Sequence, residues 1–441
     1  MGCILKYGLI NTLLCISINS SFANEDLLDI YKFSLEADSE LKQAQIAYEI
    51  ALETKKQDIA RMLPSINITG EASRNSQKRS YDVSEFDGEE KYKSYGYTLT
   101  AKQPLIHYEN NIYVKQANDR INQVNADLLA VRLSLMVRVS ERYFDVLAAD
   151  DNLRFIGAEK RAVERQLKQS ERRLNAGMAA ITDVYEAEAR LDTTIAQEIE
   201  AQNQHANSLE SLREITNRHH EKLKPLTESL VLAEPELLGV GKWEELAIQN
   251  NLQIVSLRHN NQSLRREISR RRACHYPTLD LVATYSKSIS GGGDFGDSDT
   301  ENRTIGLHLN IPIYEGGVVS SRTRKAVHLY EQNFEKLDAK IRAVRSKVHK
   351  DYLGVLASIA RVRSLKQSFI SNNKALKAIE AGFDVGMRTT SDVLQATKEL
   401  YRAQRDYERS RYDYILNGLR LKQSAGNLSL SDLKKANLSL K

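Results

Sequence analysis

The sequence is poor in residues that interrupt or staple a chain: its 441 residues include six prolines, three cysteines and one tryptophan. Beyond the N-terminus no stretch of about 18 apolar residues occurs, which excludes a polytopic helical membrane protein. Neither sign of charge dominates. Lysine and arginine number 63 against 58 acidic residues, for a net charge of +5, and the two signs are interspersed, so nothing favours nucleic acid as a partner. Catalytic patterns are missing as well: there is no Gly-rich phosphate loop, nucleophile elbow or paired-histidine motif. His219-His220 and Cys274-His275 are adjacent pairs, which cannot both face one metal on a helix. No enzyme activity, metal site or cofactor is expected.

What is present begins with an export signal. Lys6 precedes a mostly apolar run from Tyr7 to Ile18, and Ser21-Phe22-Ala23 forms a small-x-small cleavage site. Residues 1–23 are expected to be removed, leaving a mature start at Asn24. Leu13-Leu14-Cys15 lacks the small residue that precedes a lipidated cysteine, so no acyl anchor is expected. Cys3 and Cys15 leave with the signal, and Cys274 alone can form no internal disulfide.

The prolines divide the rest. None occurs between Pro104 and Pro225, and none after Pro312. Both tracts are rich in Ala, Leu, Glu, Gln, Lys and Arg, which favours helix. The second tract places Phe334, Ile341, Val348, Val355, Val362 and Phe369 at seven-residue intervals, with Leu337, Val344 and Leu365 between them and interruptions at Asp351 and Ser358. That spacing is a coiled-coil seam. The first tract repeats it less strictly with Ile121, Leu128, Leu135, Ile156 and Val163. Long helices are expected over about 110–174 and 318–381, each roughly 95 Å long at about 1.5 Å per residue. They end near Gly177 and Gly386, and helix restarts after Thr182-Asp183 and Ser391-Asp392, taken as N-caps. The returning helices, about 183–217 and 392–424, are half as long. Two further helices, about 25–62 and 243–274, can stack end to end on them.

Four segments alternate with period two and predict strands: about 65–74, 94–104, 278–287 and 303–312. Ile66 and Ile68, Tyr97 and Leu99, Leu279 and Leu281, and Ile305, Leu307 and Leu309 mark their apolar faces. Pro64 and Pro277 open the ascending strands, and Pro104 and Pro312 close the descending ones. Polar loops, roughly 73–94 and 287–303, join them. Tyr97, Tyr108, Tyr276, Tyr285 and Tyr314 suit interfacial aromatic girdles.

The chain also repeats itself. Leu63-Pro64-Ser65-Ile66 recurs as Tyr276-Pro277-Thr278-Leu279, Pro104-Leu105 as Pro312-Ile313, and Gly177-Met178 with Thr182-Asp183-Val184 as Gly386-Met387 with Ser391-Asp392-Val393. The first repeat is taken as 24–235, with its helical hairpin at about 108–217. The second is 236–424, with its hairpin at about 316–424, and residues 425–441 form a C-terminal segment. Four strands cannot close a membrane barrel, and an open edge is not tolerated in lipid. Strands that cross a membrane here must therefore share one barrel among several chains, eight strands for two chains or twelve for three.

The Pro-bounded hairpins, the Ile311-Pro312-Ile313-Tyr314-Glu315-Gly316-Gly317 turn and the paired Gly-x-x-x-x-[Thr/Ser]-Asp-Val tips resemble the TolC family of outer membrane efflux proteins over about 25–430. The resemblance implies a mainly α fold with a membrane β-barrel. A homotrimer would form a twelve-stranded outer membrane barrel, continued by a twelve-helix periplasmic α-barrel of coiled coils. A collar would come from about 218–243 and from the C-terminus. It implies an exit duct of a tripartite efflux pump or type I secretion system, with a periplasmic adaptor and an inner membrane transporter of ABC or RND type as partners, and outer membrane lipid around it.

Site residues follow residue by residue. Asp392 matches an aspartate that lines the narrowest constriction in that family; a helix cap is the other reading, and the two are compatible. Where a second aspartate often follows, this chain has Gln395. Arg388, Thr182 and Asp183 match positions that tie neighbouring tips together, and Phe383 stands where a hydrogen-bonding tyrosine is often found. Arg265, Arg266, Arg270, Arg271 and Arg272 form a basic cluster expected near inner-leaflet head groups, with a solvated helix face as the alternative. A periplasmic coiled-coil scaffold without a pore would explain the helices and the signal, but not four strands with prolines at one end.

Overall fold

Two short polar side chains, Asp38 and Asn251, break helix where the sequence suggests it is continuous. The computed structural model describes residues 25–80, 82, 88–236, 239–293 and 296–441. The signal peptide and the start at Asn24 lie outside the described residues. The helix expected over 25–62 is two helices, α1 (Leu27–Ala37) and α2 (Ser39–Ala60). Asp38 divides them: its carboxylate accepts the Leu41 N–H at 2.7 Å and both Arg138 N–H groups at 3.1 Å. The equivalent helix of the second repeat divides into α5 (Val240–Asn250) and α6 (Leu252–Ala273) at Asn251. The Asn251 side chain accepts from Gln253 and Ile254 and donates to the Ser424 carbonyl at 2.9 Å. Short polar side chains that bond their own backbone compete with helix continuation.

The two long helices are α3 (Tyr108–Asn175, 68 residues) and α7 (Val318–Asp384, 67 residues). Their returning partners are α4 (Ile181–Thr216) and α8 (Thr390–Ser424), about half as long. In α7 the seam residues Val344, Val348, Val355 and Val362 are buried, whereas Phe334 near its start is exposed. The C-terminal segment contains one more helix, α9 (Leu430–Asn437), opened by a Ser429–Asp432 capping box and anchored by buried Leu433.

The strands are longer than expected: β1 (Ser65–Arg79), β2 (Gly88–Ile106), β3 (Thr278–Gly291) and β4 (Asp297–Asn310). Most of the two supposed polar loops is paired strand, from Ser73↔Ser94 up to Arg79↔Gly88, and from Lys287↔Glu301 up to Gly291↔Asp297. Backbone pairing continues there after the outward face has turned polar, so the apolar alternation that marks a strand disappears before the strand does. Pro104 does not close β2. It sits at a register irregularity, and pairing with β3 resumes at Ile106↔Leu279. The basic cluster before Pro277 is largely turned inward: Arg266 pairs with Asp119, Arg270 with Glu267 and Tyr113, and Arg271 with Glu267. Only Arg265 and Arg272 of the five are exposed.

The sheet order is β1-β2-β3-β4, antiparallel throughout. The helices follow the same order at two levels. On the sheet side α2 packs on α3, α3 on α6 and α6 on α7; on the far side α4 packs on α3, α3 on α8 and α8 on α7. Each strand is continuous in chain with the helix beneath it. Between the levels lies the main core, where Leu27, Ile30, Tyr143, Phe144, Leu212 and Leu433 are buried together. A strap over 218–236 ties Glu25 and Leu440 together there, through the bridges Glu25↔Leu223 and Leu226↔Leu440 and a 2.5 Å contact between His220 Nδ1 and Glu25. Trp243 is buried with Val348, Val355 and Leu421.

Candidate functional site

The two helical tips farthest from the sheet are built alike. At each, a glycine in the left-handed region ends the long helix, Gly177 at φ 73° and Gly386 at φ 80°. Met178 N–H then bonds the Arg173 carbonyl at 2.7 Å and Met387 N–H the Gly382 carbonyl at 2.8 Å. These are Schellman closures, which need a residue without Cβ strain at that one position. The chain therefore turns at the same place in both repeats and hands the next residues to α4 and α8.

The restarts come earlier than the sequence suggests. The residue capping α8 is Thr389, and Asp392 is the third residue of its first turn. The two form a reciprocal capping box: Asp392 N–H donates to Thr389 Oγ1 at 3.2 Å and Thr389 N–H to Asp392 Oδ2 at 3.0 Å. The Thr389 N–H, followed by its hydroxyl, holds the Asp392 carboxyl below the usual carboxylate range. In α4 Asp183 accepts from the Ala180 N–H at 3.3 Å, but Ala180 has no hydroxyl to return the bond. Thr182 is exposed, one residue before Asp183.

The other expected site residues have separate neighbours within one chain. Gln395 is exposed and donates to Glu399 at 3.1 Å. Arg388 is exposed, and its stem lies over Gly382, where an added Cβ would meet Arg388 Cγ at 2.9 Å. Among the described residues Arg388 forms no ion pair with Asp183. Phe383 is buried, 5% exposed.

Two links that sequence reasoning missed join the hairpins. Arg173 of α3 places its guanidinium 4.4 Å from the Phe383 ring centroid and donates to the Phe383 carbonyl at 3.3 Å. Farther from the tip, Glu159 of α3 is fully buried between Arg190 of α4 and Arg405 of α8. The Glu159 link had a signal: it lies three residues after Ile156 on the seam, where a buried charge demands partners. The Arg173 link had none, because it depends on how two distant helix ends are juxtaposed.

The family model described as "Outer membrane efflux protein" matches residues 30–218 and 243–427. The chain is 34% identical over 428 residues to "Outer membrane protein TolC" of Vibrio cholerae, covering 96% of each. It is 29% identical to "Alkaline protease secretion protein AprF" of Pseudomonas aeruginosa, over 92% of this chain and 86% of that one. Among solved structures, the Campylobacter jejuni CmeC outer membrane channel has the same fold, with a TM-score of 0.78 at 15% identity over 100% of this chain and 98% of that one.

Proposed function

The chain belongs to the outer membrane efflux protein family, and from that premise we propose how it is assembled and gated. It is a Gram-negative outer membrane exit duct for efflux and type I secretion. The family is one of channels, not of enzymes. Assembly with a periplasmic adaptor and an inner membrane transporter follows from that role.

The proposed oligomer is a homotrimer. One observation carries it: the sheet and both helical levels are open on the same two sides. Strands β1 and β4 are edges of the sheet, and α2 or α4 and α7 are edges of the helical layers. One closing contact can therefore complete the barrel and the helical tube together. An unpaired strand edge is untenable in lipid, and three copies give twelve strands around a hollow interior. The repeats 24–235 and 236–424 form the wall, and 425–441 joins the collar.

At the far end, Asp392 contributes one carboxylate per chain to an anionic ring at the constriction. Gln395 supplies no second charge. Arg388 reaches Thr182 and Asp183 of the adjacent subunit, and Phe383 is fixed from within its own chain. Sedimentation of the purified mature chain in detergent tests the assembly: a mass of three chains is expected, and a stable monomer retaining its full strand content would refute it.

A further inference from the structure

The two hairpins of the sheet are copies of one another, yet above the apolar band their outward faces are charged differently. The apolar pairs identify that face. On the first hairpin they are Ile66↔Ala101, Ile68↔Leu99, Gly70↔Tyr97 and Ala72↔Tyr95. On the second they are Leu279↔Leu309, Leu281↔Leu307 and Ala283↔Ile305. Continuing upward, the second hairpin sets Lys287 opposite Glu301 and Ile289 opposite Asp299. Its charges are matched, with Lys287 3.2 Å from Asp299 and Arg303 2.5 Å from Glu301.

The first hairpin instead sets Arg74 directly opposite Lys93. On the next rungs come Ser76↔Lys91 and Lys78↔Glu89. Lys91 reaches Glu89 at 3.0 Å. Among the described residues Arg74, Lys78 and Lys93 have no carboxylate in ion-pair reach, and all three are exposed. Like charges directly opposite destabilise a sheet, because their Cβ atoms stand only about 5 Å apart. A neighbouring copy seated against β1 would bring β4, whose Asp299 and Glu301 are already paired within their own hairpin. Lys93 lies on β2, inside the sheet, and out of reach of that seam.

Height supplies the second argument. Tyr95 and Tyr97 point outward just below the Arg74–Lys93 rung and are 53% and 41% exposed. Outward tyrosines at the end of an apolar band mark the membrane interface. The unmatched cations therefore stand at the level of the outer-leaflet head groups.

We propose that Arg74 and Lys93, with Lys78 above them, bind the phosphate groups of an outer-leaflet lipid, lipid A. The proposal rests on the sheet forming the outer membrane wall. A guanidinium can engage phosphate through two parallel N–H bonds, and an ammonium neutralises it as a point charge. The lipid source follows from position. A phosphorylated lipid fills the charged rung and lays its acyl chains over Tyr95, Tyr97 and Leu99 beneath, whereas a free anion uses the charges alone.

The test titrates lipid A against the mature protein in phosphatidylcholine nanodiscs, read by native mass spectrometry. Arg74→Gln/Lys93→Gln should bind lipid A about tenfold more weakly than wild type. Lys287→Gln/Arg303→Gln should stay within about twofold, since those cations are already matched. Lys93→Glu, which gives Arg74 a partner inside the sheet, should fold at least as well as wild type and still lose the lipid. Dephosphorylated lipid A should not distinguish the proteins, and millimolar inorganic phosphate should leave lipid A bound. Equal binding of lipid A by wild type and Lys93→Glu overturns the proposal. Displacement by inorganic phosphate overturns it too, by marking a free-anion site. A wild-type protein that fails to enter the nanodisc at all refutes the membrane-wall reading itself.

Discussion

Phe383 has no hydroxyl, yet its ring and its carbonyl are both held by one guanidinium, that of Arg173. A cation over a buried ring contributes about 0.5–2 kcal/mol, and in the proposed trimer the link recurs three times. Arg173→Gln should therefore loosen the closed tips and raise single-channel conductance in planar bilayers, and Phe383→Leu should do the same. The double variant should add little to either, because both changes remove one interaction; full additivity would show that the pair is not a unit. Asp392 allows a second test at this scale. Its folded pKa is depressed, so the charge, and the stability of its capping box, are present above the ordinary carboxylate pKa and are lost only as pH falls through the lower, folded value. Asp392→Ala should reduce cation preference and weaken block by multivalent cations. Thr389→Val removes the hydroxyl that helps hold the charge. The acid limb of the selectivity profile should then move up in pH, though not fully to the ordinary carboxylate range because the Thr389 N–H still holds the charge, and a limb that stays in place would separate the lumen charge from the capping box.

Strands and helices were legible to different depths. Outward-facing Leu307 and Leu309 are exposed on the isolated chain, 66% and 58%. Arginine at either should block assembly in the membrane, at a cost of about 2–4 kcal/mol near mid-strand. His308→Arg should assemble normally, since position 308 pairs with Asp280 on the opposite face, where Lys102 and His107 already sit. Equal outer membrane levels of all three would reverse the inside–outside assignment. That alternation could be read directly from Ile305 to Ile311. The upper strand halves could not, because outward Arg74, Ser76 and Lys78 alternate with Ser73, Asn75 and Gln77, which are polar as well, and no period remains. Similarly, Pro104 suggested a strand end where a bulge absorbs it, and Asp38 and Asn251 broke helices that composition alone would continue. Of the candidate site, the turn glycines and Asp392 were visible in the repeated tip motif. The Arg173 and Glu159 links were not, because no local pattern records which helix faces meet across two hairpins.

For the whole molecule, function depends on contacts one chain cannot make alone. Arg388 and Asp183 find no partner in each other within a chain, so pairing between subunits would hold the tips inward. An exposed pair is weak, but three acting together can shift a closed–open ratio by about tenfold or more. Arg388→Ser with Asp183→Ala should raise conductance; unchanged conductance would remove these residues from the gate while leaving the duct intact. The match between chain order and neighbour order has a consequence for biogenesis. Each hairpin joins strands close in sequence, so it can form early and locally. The final seam, between β4 of one chain and β1 of the next, has no intramolecular alternative. A newly exported chain thus crosses the periplasm with two ready strand edges, of 14 and 15 residues, and in the proposed trimer its maturation is an encounter among three molecules. Its lifetime in that vulnerable form depends on how many siblings are present. Halving the supply of new chains should slow barrel closure by more than half and leave more of each cohort to periplasmic proteases.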